Sequence, residues 1–227
     1  MNFFEILIRR KKLERTKSTQ YYSHLRQDLI DMIEGQRNKI LDIGCGKGIT
    51  GSELKRIGKA KEVVGVEKFE PAALEAKLKL DKVIVGDIQT ELLPYTEGYF
   101  DYIILGDVLE HLLDPGDTLK KLKKYLSAKG FLIASIPNVS YWRILKDLIF
   151  FDKWEYVEEG ILDKTHLRFF TKKSLIELFR ESDLVIKDLI PNTSKRFISK
   201  LLIIFSLGLL NRFLTSGYLI KAARNTD

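Results

Sequence analysis

The residues best placed to do chemistry lie in Leu41-Asp42-Ile43-Gly44-Cys45-Gly46-Lys47-Gly48. There an apolar run enters a glycine-rich turn and then a helical pattern. Glycine has no side chain to hold a ligand off the backbone, and a helix amino terminus offers N–H groups with no intrahelical partner. Asp42, ahead of the first glycine, suits a cationic amino group better than a pyrophosphate. Glu67 closes the next apolar run roughly twenty residues further on, where a carboxylate can accept from both hydroxyls of a ribose. Asp87 follows a third run, in Val85-Gly86-Asp87-Ile88, and is placed to meet an adenine amino group. Three such groups at three successive strand ends describe one nucleoside-shaped ligand laid across the edge of a sheet. Cys45, Gly48, Lys68 and Ile88 complete the candidate set for that ligand.

Gly46-Lys47-Gly48-Ile49-Thr50-Gly51 also matches G-x-G-x-x-G, the dinucleotide fingerprint, with Glu67 suited to an NAD ribose. An NAD(P)-dependent oxidoreductase is therefore the first alternative. It leaves Asp87 without a role and sets Asp42 against a pyrophosphate. The second alternative is a non-catalytic interaction protein that keeps the fold. Its mark would be a damaged ligand motif, and the motif here is intact.

The elements that must position these groups are legible around them. Lys39–Ile43, Glu62–Val66, Lys82–Val85, Tyr102–Leu105 and Phe131–Ile136 read as strands apolar on both faces, as in a parallel sheet covered by helices. Ile49–Ile57, Pro71–Leu80 and Pro115–Leu126 read as the intervening helices, with Pro71 and Pro115 in first turns. This alternation implies a doubly wound, Rossmann-like α/β sheet. Beyond it come an aromatic-rich helix at Tyr141–Phe151, an irregular loop at Asp152–Phe170, and a helix capped by Thr171 that runs to about Glu181. Leu184–Ile190 reads as a sixth strand stopped by Pro191, and Tyr218–Ala222 as a seventh. Residues 1–37 form a helical extension and residues 38–227 the main domain, with an apolar helical segment at 195–216 inserted before the last strand.

Asp42-Ile43-Gly44-Cys45-Gly46-Lys47-Gly48 resembles the first motif of class I S-adenosylmethionine-dependent methyltransferases. Glu67 and Asp87 stand where that family's ribose and adenine contacts stand. Phe100-Asp101-Tyr102-Ile103-Ile104 with Asp107-Val108-Leu109-Glu110-His111-Leu112 resembles its fourth-strand segment, and Lys129-Gly130-Phe131-Leu132-Ile133 its fifth strand. The resemblance covers roughly residues 38–137. It implies S-adenosylmethionine as cofactor and a mostly parallel seven-stranded sheet whose last strand runs antiparallel. Ser135-Ile136-Pro137-Asn138-Val139, Tyr141-Trp142-Arg143 and Leu162-Asp163-Lys164-Thr165-His166-Leu167-Arg168-Phe169-Phe170-Thr171 narrow it to a bacterial and archaeal subgroup. That subgroup is linked to quinone, methionine and cell-surface polysaccharide pathways.

Methyl transfer is an in-line displacement, so the enzyme must hold the acceptor about 3–3.5 Å from the methyl carbon and exclude water. An amine acceptor needs little more, whereas a hydroxyl calls for a general base. His166, beside Thr165 and Arg168 in the loop beyond strand five, is the first candidate base; the alternative is a histidine that pins the loop by hydrogen bonds. Asp107, after strand four, is the second catalytic candidate, near the methionine end of the donor or the acceptor. His111 reads as structural. Tyr141, Trp142 and Arg168 are acceptor-binding candidates, with aromatic packing and pairing to Asp163 as their alternatives. Tyr21 and His24 are candidates for a lid.

Composition bounds the partners. A chain of 227 residues, 45% hydrophobic and 30% charged, suits one domain with a small appendage. The lone Cys45 and three scattered histidines point to a cytoplasmic protein without a metal. The net charge of +7, concentrated in Arg9, Arg10, Lys11, Lys12, Arg15 and Lys17, suits an anionic partner or a solvated face. No nucleic-acid-binding module accompanies it. Ile136-Pro137-Asn138 does not follow strand four, where amino-directed nucleic-acid methyltransferases carry their Asn/Asp-Pro-Pro-aromatic signature, so nucleic acid is not expected. Phe197–Leu214 is an apolar run flanked by Lys195, Arg196, Lys200 and Arg212. It reads as a buried helix, a homodimer interface, or a helix lying on the inner face of an anionic membrane, the last suiting a lipid-linked acceptor. The acceptor is expected to be a small molecule, a glycan or a lipid-linked compound.

Overall fold

The computed structural model describes residues 21–193 and 210–225. Seven strands form one sheet: β1 (Asn38–Ile43), β2 (Ala60–Glu67), β3 (Lys82–Val85), β4 (Phe100–Gly106), β5 (Leu126–Pro137), β6 (Leu184–Thr193) and β7 (Thr215–Arg224). Their order is β3-β2-β1-β4-β5-β7-β6. The pairings among β1 to β5 are parallel, whereas β7 runs antiparallel to both β5 and β6. This is the doubly wound sheet with a reversed last strand that the sequence leads one to expect. The strand order reverses between β1 and β4, and ligands of such sheets sit in the crevice beyond the carboxyl ends there.

The helices are α1 (Gln27–Asp31), α2 (Ile49–Arg56), α3 (Glu70–Ala76), α4 (Pro115–Tyr125), α5 (Trp142–Phe151), α6 (Lys172–Glu181) and α7 (Asn211–Leu214). Alternate residues of each strand feed two separate cores, because successive side chains leave opposite faces of the pleat. Leu41, Val64, Ile103 and Leu132 pack with Leu119 and Leu122 of α4 and Phe179 of α6. Ile40, Val63, Ile104 and Ile133 pack on the other face with Leu29 and Ile30 of α1, Leu54 of α2 and Ala76 of α3. This double burial is why the strands read as continuous apolar runs.

Several boundaries differ from expectation. Helix α3 ends at Ala76, and Leu80 lies in the turn beyond it. Strand β5 starts directly after α4, at Leu126. Strand β6 does not stop at Pro191 but continues to Thr193, with Pro191 opposite Tyr218. Proline lacks the N–H a central strand needs, yet β6 lies at the sheet edge, where one side makes no ladder bonds. Thr171 caps α6 in a capping box, its hydroxyl accepting from Ser174 N–H and Ser174 reaching back to Thr171 N–H. Of the expected N-terminal helices, the described part holds a 3-10 turn at Tyr21–Ser23 and the short α1. Most of the apolar run 197–214 lies outside the described residues; α7 is its last turn. No helix among the described residues is long and apolar enough to cross a membrane.

Candidate active site

The donor side is built from the carboxyl ends of β1, β2 and β3. The turn after β1 places Gly44 at φ +67° and Gly46 at φ +53°, conformations that cost a residue with a Cβ. A Cβ on Gly46 would also lie 2.7 Å from the Tyr22 carbonyl oxygen. Glu67, at the end of β2, reaches into this turn. Its Oε2 accepts from Gly46 N–H at 2.9 Å and its Oε1 from Phe69 N–H at 2.7 Å. An ionised carboxylate has about four acceptor positions, so capacity for ribose hydroxyls remains.

Asp42 is 5% exposed. Burial, and then the neighbouring charge of Glu67, push its carboxyl up to about 7, against a smaller opposing effect from Arg26. A buried acid so disfavoured as an anion fits a ligand that brings its own positive charge. For Asp87, burial opposes ionisation, but Gln89 N–H and the Lys68 ammonium at 3.2 Å outweigh it and hold the carboxyl below its ordinary value. Asp42, Gly44, Gly46, Glu67, Asp87 and Ile88 all line one cavity of about 980 Å³, a volume that can hold a nucleoside with a small partner. These residues fit an S-adenosyl amino acid: a buried anion for its ammonium, a side-chain-free turn for its body, and carboxylates for ribose and base. Cys45 and Lys68 also line the cavity. Gly48 is not among its lining residues; its hydrogen-only face packs on Ala76 and Leu80, where it starts α2.

The N-terminal segment roofs this side. The Tyr22 carbonyl accepts from Lys47 N–H at 2.9 Å, and the Tyr22 ring stacks on Phe69 with centroids 4.7 Å apart. Arg26 N–H donates to Thr50 Oγ1 at 3.2 Å. The Arg26 guanidinium pairs with Asp28 at 2.9 Å and with Asp107. Asp107, at φ +54° after β4, also accepts from Ser135 Oγ at 2.8 Å. His24 lines the same cavity. Tyr22 and Arg26 were missed in the sequence because nothing in their own spacing marks them.

The acceptor side joins two distant stretches. A 3-10 turn, Leu109–His111, follows β4, and the loop between α5 and α6 is laid against it. Leu167 N–H and Arg168 N–H both donate to the Glu110 carbonyl, at 2.8 and 3.1 Å. Asn138, fully buried, holds the end of β5: its Nδ2 donates to the Arg212 and Thr215 carbonyls, and its Oδ1 accepts from Ser140 N–H. The result brings His166 against His111 with ring centroids 4.7 Å apart. Glu110 is fully buried beside them, and neither carboxylate oxygen has a hydrogen-bond partner among the described residues. Burial, and then the charge of Asp107, raise its carboxyl well above the ordinary carboxylate range. Asp163 organises the loop, accepting from both Thr165 N–H at 2.8 Å and Thr165 Oγ1 at 2.7 Å.

Glu110, His111 and His166 line the same cavity as the donor-side residues. His166 lines the cavity and also pins its loop through Nδ1 and the Ile161 carbonyl at 2.9 Å. The other acceptor candidates lie elsewhere. Arg168 donates to the Leu113 carbonyl and is not in the lining. Tyr141 lines a smaller neighbouring pocket of about 340 Å³ that shares Ile161 with the main one. Trp142 lines neither pocket and is 41% exposed. Nothing in the sequence marks Glu110, since a carboxylate two residues into a turn looks solvated until the loop covers it.

A family model described as a methyltransferase domain matches residues 14–189. The chain belongs to this methyltransferase family. S-adenosylmethionine, not NAD, is the cofactor that membership brings, and the G-x-G-x-x-G match at Gly46–Gly51 is incidental to it. The ubiquinone biosynthesis O-methyltransferase of Acinetobacter baylyi is 26% identical over 159 residues, 66% of this chain and 65% of that protein. The mitochondrial ubiquinone biosynthesis O-methyltransferase of Schizosaccharomyces pombe is 29% identical over 178 residues, 72% of this chain and 63% of that protein. The chain thus matches less than two thirds of the length of these relatives. Among solved structures, a SAM-dependent methyltransferase from Archaeoglobus fulgidus superposes with a TM-score of 0.62 at 20% identity, over 97% of this chain and 99% of that one. At that identity the likeness speaks for the fold.

Proposed function

We propose that the chain transfers a methyl group from S-adenosylmethionine to a hydroxyl of a small-molecule acceptor. The observation that carries this reading is the single cavity in which Asp42, Glu67 and Asp87 continue into Glu110, His111 and His166. One end is furnished for the donor and the other with titratable groups where an acceptor hydroxyl would be ionised. The names of the ubiquinone biosynthesis O-methyltransferases support oxygen as the acceptor atom.

The sulfonium supplies a carbon already activated for displacement. The chain's own residues hold, align and enclose. Asp42 anchors the ammonium, Glu67 the ribose, and Asp87 with Ile88 the adenine. Tyr22 and Phe69 cover the Gly-rich turn and keep water out. An amine would need no ionisation, so the buried Glu110 and two histidines favour a hydroxyl.

Titration calorimetry with S-adenosylmethionine, S-adenosylhomocysteine and NAD tests the donor site. Binding of the two sulfur nucleosides, lost in Asp42→Ala and Glu67→Ala, is expected; binding of NAD alone would overturn it. Radiolabelled methyl transfer to a panel of phenols, catechols, sugars and matched amines tests the acceptor. Label confined to the amines would sink the oxygen-directed reading.

A further inference from the structure

We propose that helix α5 is the surface through which two copies of this chain pair, the two helices lying antiparallel about a two-fold axis beside Leu148. Seven of the ten residues of α5 are apolar, in Trp-Arg-Ile-Leu-Lys-Asp-Leu-Ile-Phe-Phe, and none of the ten is buried. Phe150 is 75% exposed, Ile149 69% and Phe151 66%; Trp142, Leu148 and Trp154 are exposed as well. A helix that is apolar nearly all round is ordinarily buried. Among the described residues nothing covers this one.

The patch has the size that protein partners cover. A whole aromatic side chain presents roughly 150–250 Å², so the exposed parts of these six side chains amount to about 600 Å². That is the upper end of what a monomer leaves uncovered, and such a patch ordinarily marks an interaction site. A stable interface takes about 800 Å² from each partner, the balance being a polar rim. Trp142, Leu145 and Ile149 follow one another at steps of three and four residues along one side of α5, the spacing of a helix–helix seam.

Charge decides which partner. Residues 141–164 carry six acidic side chains against four basic ones, a balance that an anionic bilayer repels. Within and just after the helix, Lys146 pairs with Asp147 at 3.1 Å and Lys153 with Glu155 at 2.6 Å. Arg143, in the first turn, and Asp152, just past the last, are the two charges of residues 142–155 that make no ion pair among the described residues. They stand about 13 Å apart along the axis. A two-fold axis between Asp147 and Leu148 sets Arg143 of each chain level with the partner's Asp152. The single charge pattern is then complementary to itself, as a two-fold interface requires.

Sedimentation equilibrium of the full chain, from about 1 µM to about 100 µM, tests the pairing. The wild type should sediment with twice the 26.3 kDa mass of the chain. Ile149→Lys and Phe150→Lys replace side chains that are already exposed, so far-UV circular dichroism and thermal unfolding should be unchanged. Each should raise the dimer dissociation constant by at least about 30-fold, the effect of losing a central interface residue. Arg143→Asp and Asp152→Arg should each weaken pairing about 10-fold, and the double exchange should restore it. A wild type that stays monomeric throughout, or a dimer untouched by Ile149→Lys, would overturn the interface. A double exchange no tighter than either single one would overturn the antiparallel arrangement. A monomer that instead floats with phosphatidylcholine vesicles, and no longer does so as Ile149→Lys, would assign the patch to a lipid surface and overturn the pairing.

Discussion

Replacing Asp42 by asparagine separates the stability cost of a buried carboxyl from its use. In the folded chain the Asp42 carboxyl titrates at about 7, against 3.8 for the free group, chiefly because it is buried and then because Glu67 is near. A carboxyl with a raised folded pKa keeps its proton in the native state where the unfolded chain has already lost it. Its cost is therefore absent below pH 3.8, grows as pH rises, and is complete above about 7. At about 1.36 kcal/mol for each tenfold, the full cost is up to about 4 kcal/mol. Asp42→Asn lacks this cost. Urea unfolding should show its stability advantage over the wild type widening by roughly 2–4 kcal/mol between about pH 4 and about pH 8. Donor binding should show the opposite benefit, because an ammonium is held by the anion. With a carboxyl titrating at about 7, roughly a tenth is ionised one pH unit below, so wild-type affinity for S-adenosylhomocysteine should fall about tenfold from about pH 8 to about pH 6. Asp42→Asn should bind weakly with no such slope. Parallel stability curves for the two proteins, or a pH-independent wild-type affinity, would refute the reasoning.

Gly46→Ala should abolish measurable donor binding, since its Cβ would meet the Tyr22 carbonyl at 2.7 Å and φ +53° costs about 1–2 kcal/mol more; calorimetry with S-adenosylhomocysteine checks it. Thr171→Ala removes the capping box of α6 and should cost about 1 kcal/mol in urea unfolding, with donor affinity unchanged. Phe179→Ala, at a side chain with no exposed surface between α6 and the sheet, should cost about 3–5 kcal/mol in the same assay, and a loss under about 1 kcal/mol would show that α6 is not packed as described.

The strand-end half of the cavity could be read from the chain because each of its parts is local. Asp42, Gly44 and Gly46 sit within one turn, and Glu67 and Asp87 each end their own strand, so parallel pairing is enough to bring them to one edge. Runs apolar on both faces announced that sheet, since only residues buried on two sides escape alternation. The course of β6 through Pro191 was not legible, because whether a proline ends a strand depends on which edge its missing N–H faces, and that is a property of the sheet order.

The other half of the cavity, around Glu110, His111 and His166, was decided by tertiary structure alone. His166 was singled out from its neighbourhood, yet its opposition to His111 depends on Leu167 and Arg168 donating to the Glu110 carbonyl across more than fifty residues of chain. The same contact buries Glu110 and turns an ordinary acidic residue into an unpartnered carboxylate. Arg168, for which the sequence offers an acceptor contact or pairing with Asp163, donates to the Leu113 carbonyl. The sequence by itself therefore determined the fold class, the glycine-rich turn and the strand-end residues that line the cavity, because hydrophobic period and glycine position act over a few residues. Which histidines and carboxylates meet, and whether they are wet or dry, followed only from the closure of a long loop, because burial is set by what packs on a residue and not by what neighbours it in the chain.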